Sequence, residues 1–242
     1  MIHSYFNQIA DLLETVEKEE KEAMITAAEK VANAIQNGGI IHLFGCGHSH
    51  ILTEEVYYRA GGLVPIHPIF HEPLMLHEGA VRSSDLERKN EYAKTFMEEQ
   101  DIRQEDVVMI LSTSGRNPVP VDAAKFAKSK GAYVIGMTSI GYASSQPSRH
   151  ISGQRLFDTV DLVIDNHAPI GDALLSHEKV KVNFSPSSTV IGAVLLNAIF
   201  AESIKKMTEN NFEPPIFLSG NLEGSDEHNQ MLIAKYKERI SL

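Results

Sequence analysis

The sequence predicts an α/β protein built on a doubly wound, five-stranded parallel sheet. Three observations carry that expectation. Five short apolar runs alternate with segments of helical periodicity. One stretch, Val107 to Ser139, reads by itself as a strand, a helix and a second strand: Val107–Leu111, Val119–Lys130 and Tyr133–Met137. The chain of 242 residues, 43% of them hydrophobic, is also long enough to bury a full core.

The elements follow in order. From His3 to Asn37, Phe6, Ile9, Leu12, Leu13 and Val16, then Met24, Ile25, Ala28, Val31 and Ile35, recur at helical spacing. The charge run EKEEKE between the two sets reads as a solvated face or a bend, and Asn37–Gly39 as a stop. Strands are expected at Ile40–Phe44, Val64–Ile69, Val107–Leu111, Tyr133–Met137 and Leu162–Asp165. Helices are expected at Ser49–Arg59, Asp85–Glu99, Val119–Lys130, Thr189–Thr208 and Asp226–Ile240. The result is one domain over 1–242, with a helical extension at 1–38 and a C-terminal helix within 220–242. Crossovers between its parallel strands are expected to be right-handed. Ile69–Asp85 and Gly141–Asp158 are long, polar connections, and read equally as site loops or surface insertions.

Bulk properties narrow the function. A net charge of −10 argues against the broad cationic surface that non-specific nucleic-acid binding needs. No run approaches the ~18 uninterrupted apolar residues of a membrane span, and the acidic N-terminus lacks the pattern of a signal peptide. Cys46 is the sole cysteine, so no intramolecular disulfide forms, and a reducing cytoplasm is the expected location.

Three turns carry candidate chemistry. In FGCGHSH, Gly45 and Gly47 permit close backbone approach and Ser49 can cap a helix or donate to a ligand. His50 stands where a dinucleotide fingerprint needs its third glycine, so no nucleotide cofactor is expected. In STSGRNP, Ser112, Thr113, Ser114, Gly115 and Asn117 can encircle a tetrahedral anion with neutral donors at a strand's carboxyl end. Ser187, Ser188 and Thr189 precede a long apolar helix, as its cap or as a third wall of the site. His48 and His50 offer two metal ligands without visible partners, so no metal is expected, and Cys46 reads as a packing residue.

FGCGHSH, followed by ILSTSGRNPVPVDAAKFAKSKGAYVIGMTS, resembles the sugar isomerase (SIS) family of phosphosugar-binding domains over roughly Ile40–Met207. STSG is similar to the bacterial phosphoheptose isomerases, and SGRNP to the SGRTP of N-acetylmuramic acid 6-phosphate etherases. The resemblance implies a flavodoxin-like α/β/α sandwich, assembled as a dimer or tetramer. It also implies a sugar phosphate held by Ser49, Ser112, Ser114 and position 117. Asn117 stands where Ser or Thr is usual, and its amide still donates.

An aldose–ketose isomerase needs a base and donors for the enediol oxygen. Glu55 lies six positions after Ser49, where the phosphoheptose isomerase pattern has His; four further on, Arg59 replaces that pattern's Glu. The departure weighs against both the metal chemistry of those isomerases and the etherase acid. Glu55 is the first candidate base, with Glu54 pointing about 100° away around the helix. His77 and Glu78, or His71 and Glu72, in the long loop are alternatives, as is Glu202 in an apolar helix. Arg82, Arg149 and Arg155 either neutralise a second acidic group or lie on the surface. The expected function is therefore a phosphosugar isomerase. A non-catalytic phosphosugar sensor and an amino-sugar-phosphate lyase stand as alternatives. The apolar stripe of the N-terminal helix points to a homo-oligomer.

Overall fold

The computed structural model describes residues 1–242. Its centre is a parallel five-stranded sheet: β1 (Ile41–Gly45), β2 (Ile66–Pro68), β3 (Val107–Leu111), β4 (Tyr133–Thr138) and β5 (Leu162–Asp165), in the order β2-β1-β3-β4-β5. The five expected strands are all present. β2 begins later than expected because Leu63 bridges to Ile216 and the Val64 N–H bonds Pro215, so that the head of the run pairs with the C-terminal segment.

Nine helices complete the chain: α1 (Ile2–Glu19), α2 (Lys21–Gln36), α3 (His50–Val56), α4 (Ala80–Glu87), α5 (Lys94–Met97), α6 (Pro118–Ser129), α7 (Ile140–Ser144), α8 (Ser188–Glu209) and α9 (Ser225–Tyr236). Alternating strand residues choose the layer. Ile41, Leu43, Met109, Leu111, Ile135 and Met137 share a core with α2, α3 and α8. Phe44, Val108, Ile110 and Val134 share one with α5 and α6. The result is the expected α/β/α sandwich. Gly192 lets α8 lie close to α3, since a Cβ there would fall 2.5 Å from Leu52 Cδ1.

Several details differ from expectation. α2 is more than an extension, because Ala27, Ala28, Val31 and Ile35 lie in the sheet's own core. The α1–α2 break falls at Glu20, whose carboxylate turns inward to accept from the Asp165 N–H at 3.0 Å and to meet His167 at 3.1 Å. The expected helix Asp85–Glu99 is two pieces, α4 and α5, separated at Glu91 (φ +65°), whose N–H bonds Asp122. The expected helix Ser49–Arg59 begins as a 3-10 turn at Gly47–Ser49 and ends at Val56. α8 is itself apolar and long enough for a membrane span, at 22 residues, but Ile191, Leu195, Leu196 and Ile199 pack it into the core.

At the amino ends of the strands, α9 and the residues after it cover Ile40 and Val64 with Tyr236 and Ile240. Asp106 is buried at the same end. Its carboxylate accepts from the N–H groups of Ile40 and Arg103, both at 2.8 Å, and from Arg239 at 2.8 and 3.0 Å, and lies 3.2 Å from His42 Nε2.

Candidate functional site

The strand order reverses direction between β1 and β3, so their carboxyl ends lie side by side, with Gly45 paired to Leu111. Crevices of this kind, at the switch point of an open parallel sheet, are where such folds bind ligands. The two hydroxyl-rich turns leave from these two strand ends.

Glycine sets the shape of both turns. A Cβ on Gly45 would stand 2.7 Å from the Ser49 carbonyl, because the 3-10 turn folds straight back over it. Gly115 has φ +56°, and a Cβ there would stand 2.5 Å from Thr138 Oγ1, against the end of β4. The hydroxyls of Ser112, Ser114 and Ser49 make no hydrogen bond to the rest of the chain, and neither do the backbone N–H groups of Ser114 and Arg116. These donors remain for a ligand. Thr113 serves as a brace instead: its carbonyl accepts from the Ser139 N–H at 2.9 Å, and its hydroxyl from Asn166 Nδ2 at 3.3 Å.

Asn117 has partners within the chain. It sits at the N-cap of α6 without a capping bond; its Oδ1 accepts from Arg149 Nη1 at 2.9 Å, and its amide faces the Glu87 carboxyl and favours the charged form. The side chain is therefore engaged by Arg149 and Glu87. The third turn is also committed. Asp172 Oδ1 accepts from the N–H groups of Ser187 and Ser188 and from the Ser187 hydroxyl, all at 2.9 Å, and Oδ2 from the Ser188 hydroxyl at 2.6 Å. The amino end of α8 thus already holds an anion, the chain's own. Thr189 makes no side-chain hydrogen bond and lies half-buried in the first turn of α8.

Both long loops border the crevice. Gly141–Asp158 is strapped onto the second turn: Arg149 N–H to Arg116 O at 2.9 Å, Leu156 N–H to Gly115 O at 2.8 Å, and Arg116 Nε to Pro147 O at 3.0 Å. Arg155 is spent inside that loop, on Ala143 O and Gln146 O. Ile69–Asp85 folds over the first turn through two 3-10 turns, with Leu76 nearest Gly47 and the His77 ring 6.3 Å from His50. His77 and Glu78 are exposed on this rim. His71 stacks on Phe96 at 4.4 Å, and burial lowers its pKa. Glu72 and Arg82 are both exposed, neither with an ion-pair partner.

The candidate bases Glu55 and Glu202 have other partners. Glu55 is ion-paired with Arg59, just past the end of α3. Glu202 bonds Lys205 at 3.0 Å, on a part of α8 about 20 Å along the helix from Ser188. Glu54 lies 3.3 Å from His50 Nε2, and His50 Nδ1 meets Gly47 O, so both ring nitrogens are in use. His48 is exposed. No three metal-ligating side chains come together. Cys46 is buried, and burial, then the nearby Glu87 charge, raises its thiol pKa well above the ordinary value.

Sequence reasoning did not single out Glu87, the half-buried last residue of α4, a helix that packs against both the Gly47–Ser49 turn and α6. It faces Asn117 after β3 and is close enough to Cys46 after β1 to act on its charge. Burial raises its pKa, opposed by Asn117 and by the charges of Arg88 and Arg149. A hollow of about 380 Å³ lined by Lys30, Asn33, Glu105 and Tyr133 opens at the strands' amino ends, opposite the crevice.

A doubly wound α/β sandwich with free hydroxyls on adjacent turns at its switch point defines a class of anion-binding α/β proteins. The chain belongs to the SIS domain family, whose profile matches residues 4–139. A UPF0309 protein of Halalkalibacterium halodurans is 64% identical over 242 residues, covering all of this chain and 97% of that one. Among solved structures, the phosphoheptose isomerase of Neisseria gonorrhoeae matches with a TM-score of 0.54 at 16% identity, over 86% of this chain and 97% of that one. The Vibrio vulnificus NanR protein complexed with ManNAc-6P matches with a TM-score of 0.52 at 14% identity, over 95% of this chain and 67% of that one.

Proposed function

We propose that this protein binds a sugar phosphate and interconverts its aldose and ketose forms through an enediol. The observation that carries the proposal is the pair of turns on β1 and β3, with Ser49, Ser112 and Ser114 unspent beside the free N–H groups of Ser114 and Arg116. A phosphate dianion satisfies such a set of neutral donors, and charge-assisted hydrogen bonds of this kind are about twice as strong as neutral ones. Two proteins of the same fold support the ligand class, one named as a phosphoheptose isomerase and the other complexed with ManNAc-6P. The specificity loops are Ile69–Asp85 and Gly141–Asp158, since both border the cradle. The working form is a homo-oligomer in the cytoplasm.

The test has two stages. A thermal-shift panel of sugar phosphates identifies binders, and proton NMR in deuterated water then follows exchange at C1 and C2 of each. Binding with exchange supports the isomerase. Tight binding without exchange, across aldose and ketose phosphates of five to seven carbons, would make the protein a phosphosugar-holding module instead.

A further inference from the structure

The turn after β3 is held from the side away from β1. Thr113 O accepts from the Ser139 N–H at 2.9 Å and from Thr138 Oγ1 at 3.2 Å, both at the carboxyl end of β4. Thr113 Oγ1 accepts from Asn166 Nδ2 at 3.3 Å, so the next strand end along, that of β5, also reaches the turn. Asn166 is 2% exposed, and two further bonds fix its own place: its N–H donates to Thr138 O at 2.9 Å, and its Oδ1 accepts from the Ala168 N–H at 3.1 Å. The second of these decides which way the amide lies. Only its oxygen can meet a backbone N–H, so the nitrogen is the atom left for Thr113.

The direction of the following peptide is a consequence. The chain's peptide bonds are trans, and in a planar trans peptide the N–H points opposite to the C=O. Because the Thr113 carbonyl is anchored on the end of β4, the Ser114 N–H points away from β4. On that side of β3 lies β1, with Gly45 paired to Leu111 and the Gly47–Ser49 turn leading on from it. The Ser114 N–H has no partner within the chain. Gly115 shows how closely the turn is seated, since a Cβ there would stand 2.5 Å from Thr138 Oγ1.

We propose that Asn166 is a positioning residue of the anion cradle: by holding Thr113, it keeps the Thr113–Ser114 peptide with its N–H aimed at the crevice between β1 and β3. The proposal rests on the phosphosugar reading above, and it assigns a role to a residue 53 positions away from the turn it serves. Asn166 acts through Thr113, because its one bond to the turn is the bond to Thr113 Oγ1. Thr138 backs the same peptide from the carbonyl side. Neutral donors hold an anion well when they are aimed before it arrives and need no reorganisation to meet it. A buried amide, itself tied to β4 and to Ala168, supplies that rigidity.

The experiment uses inorganic phosphate and the tightest binder of the sugar-phosphate panel. In the wild type, proton–nitrogen NMR titration with either is expected to move the Ser114 amide downfield, while the Ser139 amide, already bonded to Thr113 O, stays in place. Calorimetry then compares Asn166→Ala, Thr113→Val, the double variant and Thr113→Ser, each checked for a native circular dichroism spectrum. Asn166→Ala and Thr113→Val are each expected to weaken binding about tenfold, and the double variant to stay within about threefold of either, since both changes remove one link. Thr113→Ser keeps the accepting oxygen and is expected to bind within about twofold of the wild type. General damage to the fold would produce neither the coupling nor the rescue. Wild-type affinity in folded Asn166→Ala, or losses that multiply to about a hundredfold in the double variant, would overturn the role of Asn166 while leaving the phosphosugar reading standing. A Ser114 amide that ignores bound ligand would do the same, and that arm holds even where a variant fails to fold. A wild type that binds neither phosphate nor any sugar phosphate would overturn both.

Discussion

The Asp172 carboxylate closes the amino end of α8 by bonding both the N–H and the hydroxyl of Ser188, at 2.9 and 2.6 Å. A negative group there satisfies donors the helix leaves open and complements its dipole. Asp172→Ala is expected to cost about 1–2 kcal/mol, the range for losing a helix cap, read from urea unfolding. Phosphosugar affinity is expected to be unchanged, because the proposed cradle lies on the β1 and β3 turns. A large loss of affinity in a folded Asp172→Ala variant would bring the α8 turn back into the site.

Ser112→Ala and Ser114→Ala are each expected to weaken phosphosugar binding by about 1–3 kcal/mol. Neither hydroxyl has a partner in the chain, so the fold is expected to keep its melting temperature. Unchanged affinity in both variants, measured by calorimetry, would remove this turn from the cradle.

Glu55→Gln and Glu202→Gln are expected to leave C–H exchange within about twofold of the wild type, since each carboxylate is held in an ion pair, Glu55 with Arg59 just past the end of α3 and Glu202 with Lys205 in α8. Loss of exchange in Glu55→Gln with binding intact would return the catalytic role to α3.

Asp106 links pH to stability. Burial alone raises the pKa of its carboxyl, but bonds from His42, Arg239 and the N–H groups of Ile40 and Arg103 outweigh burial and hold it well below the ordinary range. A depressed carboxyl contributes stability above its unfolded pKa of about 3.9 and loses it as pH falls through the folded value. The wild type is therefore expected to lose urea resistance steeply below about pH 4, and Asp106→Asn to follow a flatter curve. Asp106→Ala is expected to cost about 3–5 kcal/mol, as the largely buried Arg239 loses its main partner. Parallel pH curves for wild type and Asp106→Asn would contradict this assignment.

α1 leaves Ile2 and Phe6 exposed, at 80% and 70%, and α8 leaves Val190 and Val194 exposed at 41% and 45%. A homo-oligomer is the expected state, with Phe6→Glu weakening it. Light scattering at micromolar concentration reads the result; a wild-type mass of one chain would end this expectation.

The strands were legible because each is a short, largely apolar run, and β3 and β5 begin and end where the sequence predicts. The two hydroxyl turns were legible because glycine and serine cluster beside those runs. Partners far apart in sequence were not. Asn117 reads locally as an anion donor, yet its side-chain oxygen accepts from Arg149, 32 positions away. Glu87 sits in a polar helix where periodicity does not separate an inward carboxylate from its exposed neighbours. Glu20 belongs to a charge run, yet it turns inward to bond the end of β5.

The Asp106–Arg239 contact joins positions 133 apart. Closing so long a loop carries an entropic cost that only the finished structure offsets. Until α9 docks, the carboxylate at the head of β3 lacks its cation, and the sheet's amino edge stays open to water. The opposite edge, where the hydroxyl turns lie, depends on contacts made without α9. The chain's last helix and the residues after it therefore fasten the end of the sheet remote from the hydroxyl turns.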